Sequence, residues 1–185
     1  MFCNFVAASP NQKYFRRQLI QLEAQRVKRP NSLEHKHPVL YLFYGHLFNA
    51  AKNYIDALNY YTKAYKIAPN DPLICFSLGL AHIQRAMQRK SRNRHEHVSC
   101  GLCMIFKYQE LVNFSQESYY NLGRIFQHLE LNHLAVEYYE KVFSTKQLDR
   151  VPNFSQEAAY NLSLIYSVDG SPHLANEILM KYCSF

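Results

Sequence analysis

Two histidines and two cysteines stand close together near the middle of the sequence, in His95-Glu-His-Val-Ser-Cys100-Gly-Leu-Cys103. A C-x-x-C pair beside histidines could supply half of a zinc site or a redox-active thiol pair. No second ligand pair follows at the usual spacing of about a dozen residues, and no alternation of strands and helices supports a thioredoxin-like fold. The segment is therefore predicted to be helical with structural cysteines. Neither a metal nor a cofactor is expected.

Other motifs of catalysis are missing from the sequence. It contains no G-x-S-x-G, no H-E-x-x-H and no glycine-rich phosphate loop, and its 185 residues include only 5 glycines. It also has no apolar run of the ~18 residues that a membrane span needs, and no signal peptide pattern at the N-terminus. We therefore expect a soluble, intracellular protein that is not an enzyme and has no membrane contact.

The formal net charge of +7 is concentrated in two short segments. Residues 13–29 carry six basic side chains against Glu23 alone, and residues 85–94 carry five with no acid. The second segment, called the basic patch below, fits either a solvated helix extension or a contact with phosphates or an acidic partner. Its members are Arg85, Arg89, Lys90, Arg92 and Arg94.

Internal repetition is the strongest signal in the sequence. Residues 113–127 and 153–167 share nine of fifteen residues at an offset of 40, and residues 41–48 align with 75–82 at an offset of 34. A period of about 34 residues with an aromatic residue, Leu-Gly, a second aromatic residue, Ala and a closing Pro resembles the tetratricopeptide (TPR) repeat. Each such repeat is a pair of antiparallel helices that buries its apolar stripe only by stacking on its neighbours.

The pattern predicts an all-α fold, a TPR superhelix of antiparallel helix pairs. In the first repeat, Gly45 is expected where the two helices cross, opposite a second helix marked by Ala57, Tyr61 and Ala64. In the second repeat, an insertion of about ten residues moves the small crossing residue to Gly101. The third repeat has Gly123 and Tyr139 at the positions of Gly45 and Tyr61, and the fourth has Ser163 and Leu179. Residues 1–36 are predicted to be the remnant of an upstream repeat plus a basic helix at 13–29. The four repeats are placed at about 38–71, 72–115, 116–155 and 156–185.

A concave face formed by the first helices is the predicted partner-binding groove. Its residues are those expected to avoid the buried stripe, and their apolar and aromatic character suits an amphipathic helix or an extended segment. The alternative is that some of them are core residues. The predicted groove residues are Leu42, His46, Asn49, Phe76, Leu80, Tyr120, Arg124, Gln127 and Tyr160, with Ile83 and Leu164 at the same spacing.

Residues 37–94 also resemble a particular family, the TPR subunits of general transcription factor IIIC, in their C-terminal portion. The stretch runs from His37-Pro-Val-Leu-Tyr-Leu-Phe-Tyr-Gly-His through Ala86-Met-Gln-Arg-Lys-Ser-Arg-Asn-Arg94. The resemblance is weaker over 95–147, and it returns at Ala159-Tyr-Asn-Leu-Ser-Leu-Ile-Tyr166 and at Tyr182-Cys-Ser-Phe185.

This resemblance implies a nuclear scaffold that assembles with other factor IIIC subunits. It also implies a role in recruiting factor IIIB for transcription of tRNA and 5S rRNA genes by RNA polymerase III. Two alternatives stay open: a TPR adaptor in another complex, and an array whose basic segments contact the DNA backbone directly.

Overall fold

The computed structural model describes residues 37–89, 91–145 and 153–183, and these residues form helices and turns without any strand. The predictions for residues 1–36 lie outside this range. The eight helices are α1 Pro38–Ala50, α2 Tyr54–Ile67, α3 Pro72–Ala86, α4 Arg94–Leu111, α5 Gln116–His128, α6 Asn132–Ser144, α7 Ser155–Val168 and α8 Pro172–Cys183. The predicted all-α TPR fold is confirmed. No described helix is both long enough and apolar enough to cross a membrane.

Local sequence signals account for where these helices begin. The Asp71 carboxylate accepts hydrogen bonds from the backbone amides of Leu73 at 2.9 Å and Ile74 at 3.2 Å, and Pro72 occupies the first turn. The Ser115 hydroxyl accepts from the amide of Ser118 at 3.3 Å. Such side chains satisfy amides that have no partner within the helix, so each one sets a helix start.

Three of the helix pairs turn in the same way. Lys52, Glu130 and Gly170 each lie between the two helices of a pair, and each has a positive φ, of 60°, 61° and 78°. Each also stands seven residues after the residue at the predicted crossing position, which is Gly45, Gly123 or Ser163. The left-handed conformation reverses the chain within three residues, which is what antiparallel packing of the two helices requires.

By internal contacts the chain forms two compact units, and the division falls within α4. The first unit ends at Gly101 and the second begins at Leu102. In the first unit α1 packs against α2 and α2 against α3, whereas in the second α5 packs against α6, α6 against α7 and α7 against α8. The fully buried side chains include Tyr61 and Cys75 in the first unit, and Leu122, Tyr139 and Leu162 in the second.

The predicted crossing residues do bring the paired helices close together. A Cβ atom on Gly123 would lie 2.6 Å from Cε1 of Tyr139, and one on Gly45 would overlap the ring of Tyr61. On Gly101 a Cβ would lie 2.8 Å from Cδ1 of Ile83. Glycine is therefore required at these places by the approach of a large side chain from the other helix, rather than by a special φ.

The repeated Asn-Phe-Ser-Gln-Glu motif joins the last two helix pairs of the second unit. Gln116 is buried, and its Nε2 donates to the carbonyl of Val142 at 3.0 Å while its Oε1 accepts from the amide of Phe154 at 3.1 Å. One side chain thus ties the start of α5 to the end of α6 and to the residue before α7. Because Gln116 is buried and bonded on both sides, its position is held firmly.

The insertion in the second repeat is divided between a loop and a helix. Seven residues separate α3 from α4, compared with three in each of the other pairs, and α4 is the longest helix at 18 residues. The segment with Cys100 and Cys103 is helical, as predicted. Both cysteines are exposed, however, so the expectation that they pack as structural side chains was wrong.

Candidate partner-binding surface

In the first unit, the candidate surface is formed by the outward faces of α1 and α3. Phe76 and Leu80 are half-buried, and Leu73, three residues before Phe76, is exposed. Val39 occupies the same repeat position in α1 and is exposed as well. Leu73 and Val39 were not among the predicted groove residues, although the same helical spacing, continued by one turn, leads to both.

Two residues expected on this surface belong instead to the core. Leu42 is only 8% exposed and Ile83 only 2%. Leu42 lies three residues before Gly45, so the two share a helix face and are buried together. Ile83 reaches Gly101, whose missing side chain leaves room for it. The prediction that these two side chains avoid the buried stripe was wrong.

His46 and Asn49 each have a polar side-chain atom next to the core. One atom is hydrogen-bonded to a core residue, and the other is buried. The Nδ1 atom of His46 lies 2.8 Å from the hydroxyl of Tyr61, whose ring is buried. His46 thus provides a hydrogen-bond partner for the Tyr61 hydroxyl, which is the polar atom of that buried side chain. Asn49 is half-buried, and its Oδ1 is enclosed without a hydrogen-bond partner among the described residues.

In the second unit, three of the predicted groove residues are half-buried and joined to their neighbours. The ring of Tyr120 stacks on Phe154 with 5.3 Å between centroids, and its hydroxyl accepts from Nδ2 of Asn161 at 3.3 Å. The guanidinium of Arg124 lies 6.0 Å from the centre of the Tyr120 ring. The Oε1 atom of Gln127 accepts from the hydroxyl of Tyr139 at 2.8 Å.

α7 presents an exposed apolar row in the same unit. Tyr160 is 58% exposed, Leu164 43% and Val168 82%, and the three follow one another at intervals of four residues. Tyr160 and Leu164 were predicted, whereas Val168 was missed because it stands at the end of the helix. Exposed apolar side chains arranged in this way are typical of a surface that binds another protein.

Within the basic patch, some arginines form hydrogen bonds to the neighbouring loop and others are exposed. Nη1 of Arg85 donates to Oε1 of Gln88, and Nη2 of Arg94 lies 3.5 Å from the carbonyl oxygens of Gln88 and Arg89. These two guanidinium groups therefore hold the loop between α3 and α4. Arg89 and Arg92 are exposed. Lys90 lies outside the described residues.

A pair of histidines joins α3 to α4 beside this loop. The Nδ1 atoms of His82 and His97 are 3.1 Å apart, so one ring donates its proton to the other. Burial lowers the pKa of His82, and the neighbouring His97 lowers it further. Within the described ranges, no three His, Cys, Asp or Glu side chains are grouped closely enough to hold a metal ion.

The histidines make stability dependent on pH in a defined direction. Burial lowers the pKa of His46, His82 and His128 below the 6.5 of an unfolded chain. The unfolded state then binds more protons than the folded state below about pH 6.5. We expect the free energy of unfolding to fall between pH 7.5 and 5.5, measured by urea denaturation at each pH.

A matched variant tests the histidine contribution. The variant is His82→Phe, because phenylalanine occupies the equivalent position in two other repeats, as Phe48 and Phe126. The variant should show a shallower dependence on pH than the parent chain. Identical pH profiles for the two proteins would contradict the assignment to His82.

Comparison with known proteins agrees with this architecture. The family model described as "Tetratricopeptide repeat" matches residues 39–71 and 116–147. Among solved structures, the crystal structure of MamA superimposes with a TM-score of 0.60 at 16% sequence identity, covering 96% of this chain and 95% of that one. The chain contains tetratricopeptide repeats and has the fold that they form.

Three curated relatives define the particular group. The sequence is 40% identical over 118 residues to the transcription factor tau subunit sfc4 of Schizosaccharomyces pombe, covering 61% of this chain and 12% of that protein. It is 32% identical over 160 residues to the transcription factor tau 131 kDa subunit of Saccharomyces cerevisiae, covering 76% and 16%. It is 36% identical over 104 residues to the human general transcription factor 3C polypeptide 3, covering 56% and 12%.

These relatives confirm the predicted resemblance to the TPR subunits of general transcription factor IIIC. The matched segments make up only 12% to 16% of the length of each relative.

Proposed function

We propose that this chain is a protein-interaction scaffold of transcription factor IIIC, acting in the nucleus by binding rather than by catalysis. Its partners are other subunits of the factor, and factor IIIB is a further one. In this proposal it supports assembly of the complex and recruitment of factor IIIB for RNA polymerase III transcription of tRNA and 5S rRNA genes. Support comes from the relatives together with one structural observation, the exposed apolar rows on the first helices of the repeats.

The chemistry of those rows indicates what kind of partner segment binds. On α7 the exposed positions are Tyr160, Leu164 and Val168, which offer one aromatic and two aliphatic side chains along a helix face. On α3, Leu73 is exposed and is followed at helical spacing by the half-buried Phe76 and Leu80. An amphipathic helix or an extended segment that places its own apolar residues every three or four positions matches either row.

The binding proposal predicts a specific loss of partners. The double variant Tyr160→Asp, Leu164→Asp puts charges on an exposed row, where folding tolerates them but apolar binding does not. Capture of factor IIIC subunits by the tagged full-length chain, quantified by mass spectrometry, should fall at least about tenfold. Met180→Asp is the control, because Met180 is 76% exposed on α8, away from the first-helix faces.

Three outcomes would count against the proposal. Equal recovery of factor IIIC subunits by the double variant and by the control would exclude the α7 row. Capture of subunits of an unrelated complex would favour the TPR adaptor alternative. Loss of partners together with a lowered melting temperature in the double variant alone would assign the effect to folding.

Direct contact with the DNA backbone is the second candidate, and it is favoured by the exposure of Arg89 and Arg92. No acidic side chain among the described residues pairs with either. If they bind phosphates, Arg89→Gln with Arg92→Gln should reduce the dependence of log K on log[salt] by about 0.9 for each phosphate that is no longer neutralised. If the slope of log K against log[salt] did not change, Arg89 and Arg92 would not bind phosphates. They would then contact an acidic protein partner or solvent.

A further inference from the structure

The start of α5 binds two residues that stand where α7 begins. The ring of Phe154 stacks on Tyr120, with 5.3 Å between the centroids. The Phe154 amide donates to Oε1 of Gln116 at 3.1 Å, and Nε2 of Gln116 donates to Oγ of Ser155 at 3.4 Å. Gln116 and Tyr120 thus hold a Phe-Ser dipeptide by one ring contact and two hydrogen bonds.

An identical pair, Gln156 and Tyr160, stands at the start of α7 and is open. The side chain of Gln156 is exposed and makes no hydrogen bond within the part of the chain that the structure describes. Tyr160 is 58% exposed, and no described aromatic ring stacks on it. Gln156 and Tyr160, called the α7 pair below, therefore offer the amide and the ring face with which α5 holds its Phe-Ser dipeptide.

The α7 pair belongs to the repeated Asn-Phe-Ser-Gln-Glu motif and is not common to all repeats. Counted from the crossing residue, Pro38 and Pro72 occupy the position of Gln116 in the first two repeats. A proline side chain can neither donate nor accept a hydrogen bond. Recognition by glutamine and tyrosine is therefore possible in the last two repeats, and only the fourth has the pair free.

The row beyond the ring is more apolar on α7 than on α5. Leu164 and Val168 stand where α5 has Arg124 and His128. Leu164 is 43% exposed and Val168 is 82% exposed, so both are open to a partner. A segment bound to the α7 pair gains most if apolar side chains accompany its aromatic residue, because they cover this row.

We propose that the α7 pair binds a loop of another protein at an aromatic residue that is followed by serine or threonine. The partner's ring stacks on Tyr160, its backbone amide donates to Oε1 of Gln156, and its hydroxyl oxygen accepts from Nε2. Apolar residues of the same segment cover Leu164 and Val168. The proposal rests on the proposed function in taking α7 as a partner surface, and it adds the chemistry of the anchor.

A second copy of this chain fits the α7 pair less well. Its Phe154 is already stacked on Tyr120. Its other Phe-Ser dipeptide begins with Phe114, which is 50% exposed, but the Phe114 amide already donates to the carbonyl of Gln109 at 3.0 Å. A loop of another protein can present the ring and the amide together.

NMR titration of the 185-residue chain with the peptide Asn-Phe-Ser-Gln-Glu-Ala-Ala-Tyr, a copy of residues 153–160, tests the site. The side-chain amide of Gln156 and the ring of Tyr160 should shift, with a dissociation constant of about 1 mM for one ring contact and two hydrogen bonds. The peptide with Phe154→Ala should leave both signals in place. Unchanged Gln156 and Tyr160 signals at about 10 mM of the first peptide would overturn the proposal.

Variants of the exposed residues separate the two kinds of contact. Gln156→Met keeps the length of the side chain and removes both hydrogen bonds, so it should weaken peptide binding at least about tenfold. Tyr160→Phe keeps the ring and should bind as the parent chain does. Glu157→Met is the control, because Glu157 is exposed on a different side of α7. Equal affinities of Gln156→Met and the control would refute recognition by the glutamine.

Capture of factor IIIC subunits distinguishes this proposal from the broader binding function. Gln156→Met should lower capture, as Tyr160→Asp with Leu164→Asp does. If Gln156→Met captured the subunits fully while the double variant lost them, the α7 row would bind without this anchor, and only the present proposal would fail. If both variants captured them fully, both proposals would fail. A dimer by light scattering that Gln156→Met dissociates would assign the α7 pair to a second copy of the chain.

Discussion

Replacement of Tyr139 by alanine is expected to lower the free energy of unfolding by about 3–5 kcal/mol. The side chain is fully buried, its ring lies against Gly123, and its hydroxyl donates to Oε1 of Gln127 at 2.8 Å. The substitution leaves a cavity at the crossing of α5 and α6 and leaves the Gln127 oxygen without its donor. Urea denaturation of the full-length chain, monitored by helical circular dichroism, measures the loss.

Two further variants separate the ring from the hydroxyl. Tyr139→Phe keeps the ring and removes the hydrogen bond, so its cost should be about 1 kcal/mol. Tyr160→Ala removes the same type of side chain from an exposed position and should change stability by less than about 0.5 kcal/mol. If Tyr139→Ala and Tyr160→Ala had equal effects, the buried ring would not be the element that holds this helix pair together.

Substitution of Gly123 by serine is expected to cost about 1–3 kcal/mol, although serine is the better helix former. A Cβ atom at this position would meet Cε1 and Cδ1 of Tyr139 at 2.6 and 2.7 Å. The fourth repeat carries Ser163 at the crossing position and Leu179 where the third has Tyr139. The residues at these two positions are thus expected to vary together. Glycine at the crossing goes with an aromatic ring on the second helix, and the larger serine goes with leucine.

A double-mutant cycle at these positions makes the coupling measurable. The combination Gly123→Ser, Tyr139→Leu should be destabilised by about 1 kcal/mol less than the sum of the two single changes, because leucine makes room for the serine. The measurement is urea denaturation of the four proteins. Ser163→Gly is the control, since it opens the crossing in a repeat without a ring at this position. Strict additivity at Gly123 and Tyr139 would contradict the steric explanation.

Sequence reasoning was effective for the interior of the repeats because each signal there is local. The small residues Gly45, Gly101 and Gly123 identified the crossings, and Tyr61 and Tyr139 were placed on the matching stripes of the second helices. Helical periodicity determines which side chains share a face, and a residue without room for a Cβ marks the closest approach of two helices. Both can be read without knowledge of the neighbouring repeats.

The surface was predicted less well, for a physical reason. Periodicity gives the direction of a side chain from its helix axis but not what lies in that direction. Leu42 and Ile83 are buried, and His46 and Gln127 lie beside the hydroxyls of Tyr61 and Tyr139. The exposure of a first-helix side chain therefore depends on the size of residues on the second helix. For His46 this residue is Tyr61, fifteen positions away, and for Gln127 it is Tyr139, twelve positions away.

By itself the sequence determined the repeat period, the all-helical class, the crossing residues and the kinship with factor IIIC subunits, because all of these are properties of short segments and their spacing. The tertiary structure alone decided which side chains remain available to a partner. It retained the predicted Tyr160 and Leu164 on α7, added Val168 beside them, removed Leu42 and Ile83, and left Phe43 exposed on α1. Availability depends on whether a second helix packs over a given face, and that is known only when the neighbouring helix is in place.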